Sequence, residues 1–289
     1  MKKNLLLIAV ALFSTATYAQ LWNASISAVG AMDAVDFNSP AAMDKDGNLY
    51  VTGTQTVNFE FAGKNAEVLA LGAYIAKYNA NGEEQFAITL HGAINITAIT
   101  TDADNNFYVA GSYAGEAYIT DVEGTTGEYE TITNAEEDSK TAAFIAKYDA
   151  QGNLLAVKSY EAALNMDAYD LTMVSVSKIV VENSKIYAQF EYTGDIKVEE
   201  NLSLVAKYAF YDFGGWGMAV LTNNVSVISF DSNLENAVAV ASLAIADNGD
   251  PSTAVRTFNF TVNGDDVYVA AFGVGNLVLT TSAGTEAID

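Results

Sequence analysis

The chain has 289 residues, of which 36 are acidic and 13 basic, with one His and no Cys, giving a formal net charge of −23. Hydrophobic residues make up 51% of the chain, which is enough for one large core or two modest ones and is atypical of a disordered protein. The acidic balance argues against a nucleic-acid partner, because it repels phosphate. The lack of Cys excludes disulfides, thiolate metal sites and an acylated-Cys membrane anchor.

The N-terminus has the order of segments that is typical of a secretory signal peptide. Lys2 and Lys3 precede an apolar run at residues 5–13, and small and polar residues follow up to Ala19. We expect residues 1–19 to be removed, with a buried N-terminal helix as the alternative. Removal takes away two Lys, so the mature chain carries 11 − 36 = −25 charges. No later segment is apolar for about 20 residues, as a membrane-spanning helix requires. We therefore expect a periplasmic, secreted or cell-surface protein of a Gram-negative bacterium, without a transmembrane segment.

Two short patterns recur along the chain. The first, DKDGNLYVTG at residues 44–53, returns as DADNNFYVAG at 102–111, with weaker copies at 181–188 and 262–269. The second, AYIAKYNANG at 73–82, returns as AFIAKYDAQG at 143–152, with a degraded copy at 227–233. Alternating aromatic and β-branched residues are typical of strands, and Asp, Asn and Gly are typical of tight turns. Each unit therefore predicts two hairpins, which together make a four-stranded antiparallel blade.

These units divide the chain into repeats at about residues 39–92, 94–160, 172–244 and 254–289. We predict that residues 20–289 form a single all-β domain, a β-propeller of about four blades, with a β-solenoid or a sandwich as the alternative. The first two repeats resemble the bacterial seven-bladed β-propeller (SBBP-like) repeat family, whose pattern is D-x-D-G-N-x-Y-V-T-G followed by A-F-V-A-K-Y-D-x-x-G-N. The third and fourth match it poorly. The resemblance implies a secreted or surface protein with a binding role.

Closure of the ring depends on the two ends of the sequence. Residues 21–30 precede the first blade as an outer strand would, so they are a candidate donated strand. The last repeat has strand-like runs at 266–271 and 276–281 but lacks a segment of the A-Y-I-A-K-Y type before Asp289. Either the ring has four blades with a degenerate last one, or the chain is the front of a larger propeller. We favour the larger propeller, because the rings of the family that these repeats resemble have more blades and because an unclosed edge invites aggregation.

The D-x-D-G-N segments resemble the start of a calcium loop, with Asp44, Asp46, Asp102 and Asp104 as candidate ligands. An EF-hand loop also needs a bidentate Glu at its twelfth position, which is occupied here by Gln55 and Tyr113. We therefore predict Asx turns with Gly or Asn at positive φ and no cofactor, and Ca²⁺ binding is the alternative.

The A-K-Y tripeptide places Lys77, Lys147 and Lys207 in related local sequences. Strand alternation puts Ile75 and Lys77 on the face opposite to Ala76 and Tyr78. We predict that each Lys stem lies over a neighbouring blade, with its ammonium solvated or paired with an acid. A ring of basic groups is the alternative.

The insertion in the second repeat is rich in acids. They are Glu116, Asp121, Glu123, Glu128, Glu130, Glu136, Glu137 and Asp138. Such a run is typical of a solvated loop, which we predict here, with capture of a divalent cation as the alternative.

The segment YAFYDFGGWG at residues 208–217 holds five aromatic residues. Exposed rings beside an acid suit stacking on a sugar or a hot spot for a protein partner. The candidate ligand-binding residues are Tyr208, Phe210, Tyr211, Asp212, Phe213 and Trp216. The alternative is that they pack as a small satellite core or plug the channel.

The sequence offers little for catalysis. His91 follows a strand and is interpreted as a turn residue, and Asp212, Phe213 and Gly214 match a kinase tripeptide without its companion motifs. We predict no catalytic residues and an exported, non-enzymatic binding or scaffold module for a protein or glycan ligand. The alternatives are a carbohydrate-active propeller hydrolase that uses carboxylates at the channel mouth, and a structural segment of a longer surface protein.

Overall fold

The computed structural model describes residues 39–67, 71–135, 139–163, 172–212, 217–246, 254–282 and 284–288. Throughout these ranges the secondary structure consists of β-strands joined by turns, with no helix. The all-β prediction is confirmed. It follows that no described segment is a helix long and apolar enough to cross a bilayer. The predicted signal peptide and the candidate donated strand at 21–30 lie outside the described residues.

The first repeat forms a four-stranded antiparallel sheet. Its strands are β1 (Ala41–Met43), β2 (Leu49–Gln55), β5 (Gly72–Tyr78) and the first half of β6 (Glu84–Thr101), and the hairpin of β3 (Phe59–Phe61) and β4 (Lys64–Ala66) is inserted between β2 and β5. The strands pair in the order β1–β2–β5–β6. The order follows the two hairpins that the sequence predicts.

The second repeat begins within the same strand that ends the first. Its strands are the second half of β6, β7 (Phe107–Asp121), β9 (Ser139–Tyr148) and β10 (Leu154–Tyr160), with β8 (Gly124–Thr133) as an inserted strand and β11 (Ala162–Ala163) after β10. β6 leaves the first sheet at Gly92, where the pairing register shifts and φ is 106°. A Cβ at this position would lie 2.6 Å from the carbonyl oxygen of Glu116, so glycine is required for the blade-to-blade passage.

The third repeat has the same order with two insertions. Its strands are β12 (Thr172–Glu182), β13 (Lys185–Tyr192), β18 (Asn224–Phe230) and β19 (Val238–Ile245), and the inserted hairpins are β14 (Asp195–Glu199) with β15 (Leu202–Leu204) and β16 (Tyr208–Asp212) with β17 (Gly217–Leu221). All four main strands pair antiparallel in chain order. The four-stranded prediction is thus confirmed for the first three repeats.

The fourth repeat is divided between two sheets. Its strands are β20 (Ala254–Asn263), β21 (Asp266–Val274), β22 (Leu277–Thr281) and β23 (Gly284–Ile288). β20 and β21 pair with each other as a separate two-stranded sheet. β22 instead pairs with β19 of the third repeat, and β23 pairs with β22. The run predicted at 276–281 therefore forms a strand, but it extends the preceding blade and not its own.

Three of the hairpins pair with a strand at the end of the preceding repeat. In the second repeat Tyr118 pairs with His91 of β6. In the third repeat Ile196 pairs with Ala162. In the fourth, β22 runs along β19 over five residue pairs. Hairpin β22–β23 is therefore the counterpart of the hairpins inserted after the second strand of the other repeats.

The apolar core lies between consecutive repeats. Ile75 and Phe144 belong to the cluster between the first and second repeats, and Ile145 belongs to the next cluster. Ala76 and Tyr78 lie in a separate cluster on the opposite face of β5, so the predicted alternation is confirmed. A third cluster joins the third repeat to the β20–β21 sheet.

Candidate functional site

The D-x-D-G-N segment at residues 44–48 and its counterpart DADNN at 102–106 form Asx turns, as predicted. The Oδ1 atom of Asp44 accepts hydrogen bonds from the backbone N–H groups of Asp46 (3.0 Å) and Asn48 (2.9 Å). Gly47 has a φ of 81°, and Asn105 at the equivalent position of the second repeat has a φ of 64°. The side chain thus replaces a missing backbone partner, which is the local role that Asp serves in turns.

The second carboxylate oxygen in each turn contacts a buried Tyr. The hydroxyl of Tyr50 donates to Oδ2 of Asp44 at 3.4 Å, and that of Tyr108 donates to Oδ2 of Asp102 at 3.1 Å. Burial, reinforced by the neighbouring carboxylate, raises the pKa of both Tyr50 and Tyr108 far above the ordinary value. Asp44 and Asp102 therefore each stabilise a turn through one carboxylate oxygen and bind the hydroxyl of a buried Tyr through the other.

The two turns also contact each other. The side-chain N–H of Asn105 donates to Oδ2 of Asp46 at 2.5 Å, and the ammonium of Lys45 donates to the carbonyl of Ala103 at 2.5 Å. Asp104 lies in the second turn, where its backbone N–H donates to Oδ1 of Asp102. In the described part of the chain, no three His, Asp or Glu side chains converge as a metal site would require. The four candidate calcium ligands are placed in turns.

Lys77 and Lys147 tie consecutive repeats together. The ammonium of Lys77 donates to the carbonyl of Ala150 (2.7 Å), and that of Lys147 donates to the carbonyl of Ser232 (2.7 Å). Both acceptors follow an Asp in the turn after the third strand of the next repeat, Asp149 and Asp231. The prediction that the Lys lies over a neighbouring blade is correct for Lys77 and Lys147, but the ammonium of Lys77 is not solvated, since this residue is 7% exposed.

The Lys side chains also lie over aromatic rings of their own repeats. The ammonium of Lys77 is 5.0 Å from the ring centroid of Tyr50, and that of Lys147 is 5.5 Å from that of Tyr108. Lys207 is not their counterpart, although it shares the A-K-Y tripeptide. In the third repeat the residue opposite Tyr187 is Ser229, in the way that Lys147 is opposite Tyr108. Lys207 precedes β16 in an inserted hairpin.

The acidic insertion is a hairpin and not the solvated loop that the sequence predicts. Residues 116–121 pair with β8, and the side chain of Asp121 is buried, where its Oδ1 accepts a hydrogen bond of 2.7 Å from the N–H of Glu123. Glu116, Glu123 and Glu130 are exposed. The side chain of Glu128 and residues 136–138 are outside the described part. Alternating apolar residues such as Ile119 and Ile132 pack into the core and hold the hairpin.

His91 lies within β6 and not in a turn. It is 2% exposed, and burial lowers its pKa. It borders a groove between the first two inserted hairpins, together with Lys64, Phe86 and Asp121. A side chain this buried is poorly placed for acid–base exchange with a ligand in solution.

Four of the predicted contact residues, Tyr208, Phe210, Tyr211 and Asp212, belong to β16. Tyr208 pairs with Leu221, and Asp212 pairs with Gly217 at the far end. Tyr208 is half-buried against the core between the second and third repeats, which fits the packing alternative. The side chains of Phe210, Tyr211 and Asp212 are not among the described ones, and Phe213 and Trp216 lie outside the described residues. Their ligand-binding role stays a prediction.

The last repeat exposes an aromatic residue that the other repeats bury. The repeated Tyr is 0% exposed at Tyr50, 1% at Tyr108 and 3% at Tyr187, but 53% at Tyr268. In the first three repeats this side chain lies in the apolar cluster between its own repeat and the following one. Tyr268 has no such cover among the described residues.

The strand that carries Tyr268 also presents an open edge. β2, β7 and β13 each pair on one side with a first strand and on the other with a third strand, β5, β9 and β18. Within the described ranges, β21 pairs only with β20. Phe272 (65% exposed) and Val274 (45%) continue the apolar row of Tyr268. We call the edge of β21 with Tyr268, Phe272 and Val274 the open edge. The sequence predicts a missing strand here, but not how far these rings are exposed.

No family model matches the chain. Part of it is similar to an uncharacterized WD repeat-containing protein of Acanthamoeba polyphaga mimivirus, with 31% identity over 138 residues. The match covers 40% of this chain and 9% of that relative. WD repeats are four-stranded propeller blades, so this similarity agrees with a repeat protein of the β-propeller type.

Proposed function

We propose that the chain is an exported, non-enzymatic β-propeller module of the bacterial seven-bladed repeat type, which binds another protein through the open edge. The observation that carries this proposal is the exposure of Tyr268, 53% against 3% or less at the three equivalent positions. A protein partner is favoured over a glycan because an edge strand offers a row of backbone N–H and C=O groups, which another strand satisfies in full.

The side chains of the open edge support the same conclusion. Proteins that avoid association usually place Lys, Pro or a bulge on an exposed edge strand. β21 instead presents Tyr268 and Phe272, which are four residues apart and therefore on the same face of the strand. Aromatic residues are enriched in protein interfaces, and their few rotatable bonds limit the entropy lost on binding.

The non-enzymatic assignment rests on the state of the candidate groups. His91 is buried, and the carboxylates of Asp44 and Asp102 accept hydrogen bonds within their own turns. These groups are engaged in the structure of the repeats, so they are not available for proton transfer to a substrate.

The aromatic hairpin tip is a second proposed contact for the same partner. β16 and β17 form a two-stranded sheet of their own, so the four main strands of the third repeat pair without them. Tyr211, Phe213 and Trp216 lie at or beside the end of this hairpin in the sequence. The main ladder of the third repeat does not include β16 or β17, which supports a recognition role for this hairpin.

Export is proposed from the order of segments at the N-terminus. Expression of the full chain in a Gram-negative host should give a product in the periplasm or medium that begins at Gln20. N-terminal sequencing of the purified protein provides the measurement. Retention of Lys2 and Lys3 in the exported product would contradict the proposal.

The binding function is tested with the purified mature chain as bait for the exported proteins of its own host. Phe272→Lys places a charge on the open edge at a side chain that is already 65% exposed, so the fold should be retained. The matched control is Leu155→Lys, at a residue that is 52% exposed on the outer strand of the second repeat. A partner retained by the wild type and by Leu155→Lys but lost with Phe272→Lys supports the proposal. Equal retention by all three proteins, or binding to a glycan array alone, would overturn it.

A further inference from the structure

We infer that the open edge accepts an extended antiparallel strand with the chemistry of this chain's own third strands, small or aromatic residues followed by Ile-Ala-Lys-Tyr. This inference rests on the proposed function and specifies the partner segment. The three complete repeats act as internal templates, because each shows what covers the edge that is open in the fourth.

The three templates define one register. The repeated Tyr at positions 50, 108 and 187 is opposite Lys77, Lys147 and Ser229. The residue before it is opposite an aromatic side chain each time: Leu49 with Tyr78, Phe107 with Tyr148 and Ile186 with Phe230. Applied to β21, this register places an aromatic residue opposite Val267 and the Lys opposite Tyr268.

The other positions of β21 fit the same strand. Two residues beyond the repeated Tyr, the templates pair Thr52 with Ile75 and Ala110 with Ile145, which places the Ile opposite Ala270. Four residues beyond, they pair Thr54 with Ala73 and Ser112 with Ala143. That register brings Ala opposite Phe272, where a small residue leaves room for the ring.

Electrostatics favour the cation at the predicted place. The ammonium groups of Lys77 and Lys147 lie 5.0 Å and 5.5 Å from the rings of the Tyr residues opposite them. Tyr268 can offer its ring in the same way, in a chain whose formal charge is −23. A strand with Glu in place of Lys would be repelled by the acidic chain.

An intact second copy cannot supply this strand. All seven residues of β5 are buried, and Ala143, Phe144, Ile145 and Ala146 of β9 are each 0% exposed. Release of either strand would open a core between two repeats. The opposite end of the described assembly is also covered, because Phe59 and Phe61 of the first hairpin pack on Tyr74 and Tyr78. Within residues 20–289 the Ile-Ala-Lys-Tyr sequence occurs at 75–78 and 145–148, where it is already paired with β2 and β7, so we assign the occupant to an extended segment of a partner protein.

The test uses a fluorescent synthetic peptide with the sequence of residues 142–149, AAFIAKYD, and the mature chain, with anisotropy as the readout. We expect saturable binding that Phe272→Lys weakens by about tenfold or more, that Tyr268→Ala weakens up to about fivefold, and that Leu155→Lys leaves unchanged. A peptide with Pro in place of Ile145 should not bind, because Pro cannot pair within a ladder. A peptide with Glu in place of Lys147 should bind more weakly.

The register is tested by disulfide trapping, which is clean because the chain has no Cys. Ala270→Cys should form a disulfide with a peptide that has Cys at the Ile145 position, since directly opposed residues lie within disulfide reach. It should not react appreciably with Cys at the Ala146 position, which the register places opposite Val269. Trapping at the wrong position would overturn the assigned register.

The outcomes separate this inference from the proposed function. If Phe272→Lys abolishes partner capture but the peptide does not bind, the open edge binds proteins and the assigned strand chemistry is wrong. If the Pro-containing and wild-type peptides bind equally, strand pairing is wrong as well. If neither capture nor peptide binding responds to Phe272→Lys, both proposals fall.

Discussion

Lys77→Met is the substitution that most directly tests how the repeats are joined. Lys77 is 7% exposed, its ammonium donates to the carbonyl of Ala150 at 2.7 Å, and it lies over the rings of Tyr50 (5.0 Å) and Phe86 (5.6 Å). Met retains most of the buried stem and removes the charge and the donor. The change therefore isolates the polar contact between the first and second repeats.

The expected loss is the difference between opposing effects. A hydrogen bond from a charged donor contributes about 1.5–3 kcal/mol, and each ring contact adds about 0.5–1 kcal/mol. Burial opposes these gains, because it lowers the pKa of Lys77 and so disfavours the ammonium form. Removal of the charge recovers part of that cost. We expect Lys77→Met to lower the free energy of unfolding by about 2 kcal/mol.

Urea unfolding followed by far-UV circular dichroism measures this loss, and hydrogen exchange locates it. Protection should fall most in the turn at residues 149–153, which accepts the Lys77 bond. Lys147→Met should cost less than Lys77→Met, because Lys147 is more exposed and contacts one ring. Lys197→Met, at an exposed position on β14, is the control and should be nearly neutral.

The order of the three variants decides the matter. If Lys77→Met and Lys197→Met have equal stability, the contact to the next repeat contributes nothing and the argument is refuted. If stability falls but exchange at residues 149–153 is unchanged, the loss has another origin. Because stacked repeats lose stability at their interfaces, a real effect should also broaden the unfolding transition.

Three further predictions concern Asp102, His91 and the pair Tyr211 and Trp216. Asp102→Ala removes the acceptor of two backbone N–H groups and of the Tyr108 hydroxyl, so it should destabilise the chain by about 2 kcal/mol in urea, with Asp102→Asn intermediate. Burial lowers the pKa of His91, so the unfolded chain takes up the proton at a higher pH than the folded chain does. The free energy of unfolding should therefore fall as the pH drops below about 6.5, by at most about 1.4 kcal/mol per pH unit. His91→Gln should flatten the dependence of the free energy of unfolding on pH between about pH 7 and 5.5. Tyr211→Ala with Trp216→Ala should leave the circular dichroism spectrum unchanged and weaken partner capture; capture at the wild-type level would contradict their proposed role.

Local features of the fold were predictable from the sequence because they depend on neighbouring residues. The Asx turn at Asp44 needs only the N–H groups of Asp46 and Asn48, and the sequence places all of them within five positions. The face of β5 that carries Ile75 follows from strand alternation alone. Such features need no knowledge of the partner sheet.

The long-range contacts were not predictable for the opposite reason. Lys77 and Ala150 are 73 positions apart, and nothing local distinguishes a Lys that reaches a carbonyl from one that reaches water. The acidic run of the second repeat predicts a loop, but its alternating apolar residues bury one face against the outer strand of the first repeat. A run of acidic residues therefore predicts a solvated loop only where no neighbouring strand is available to pair with the segment.

The poor match of the third repeat to the pattern has a physical explanation in its neighbour. In the first two repeats the Lys is useful because the following repeat offers a turn carbonyl after its third strand, Ala150 or Ser232. The described residues of the fourth repeat contain no such turn, and Ser229 of the third repeat has replaced the Lys. A buried ammonium without an acceptor would be costly, so the Lys and its acceptor are expected to be lost together. A weak repeat is therefore compatible with an unchanged blade fold, as the full pairing of β12, β13, β18 and β19 demonstrates.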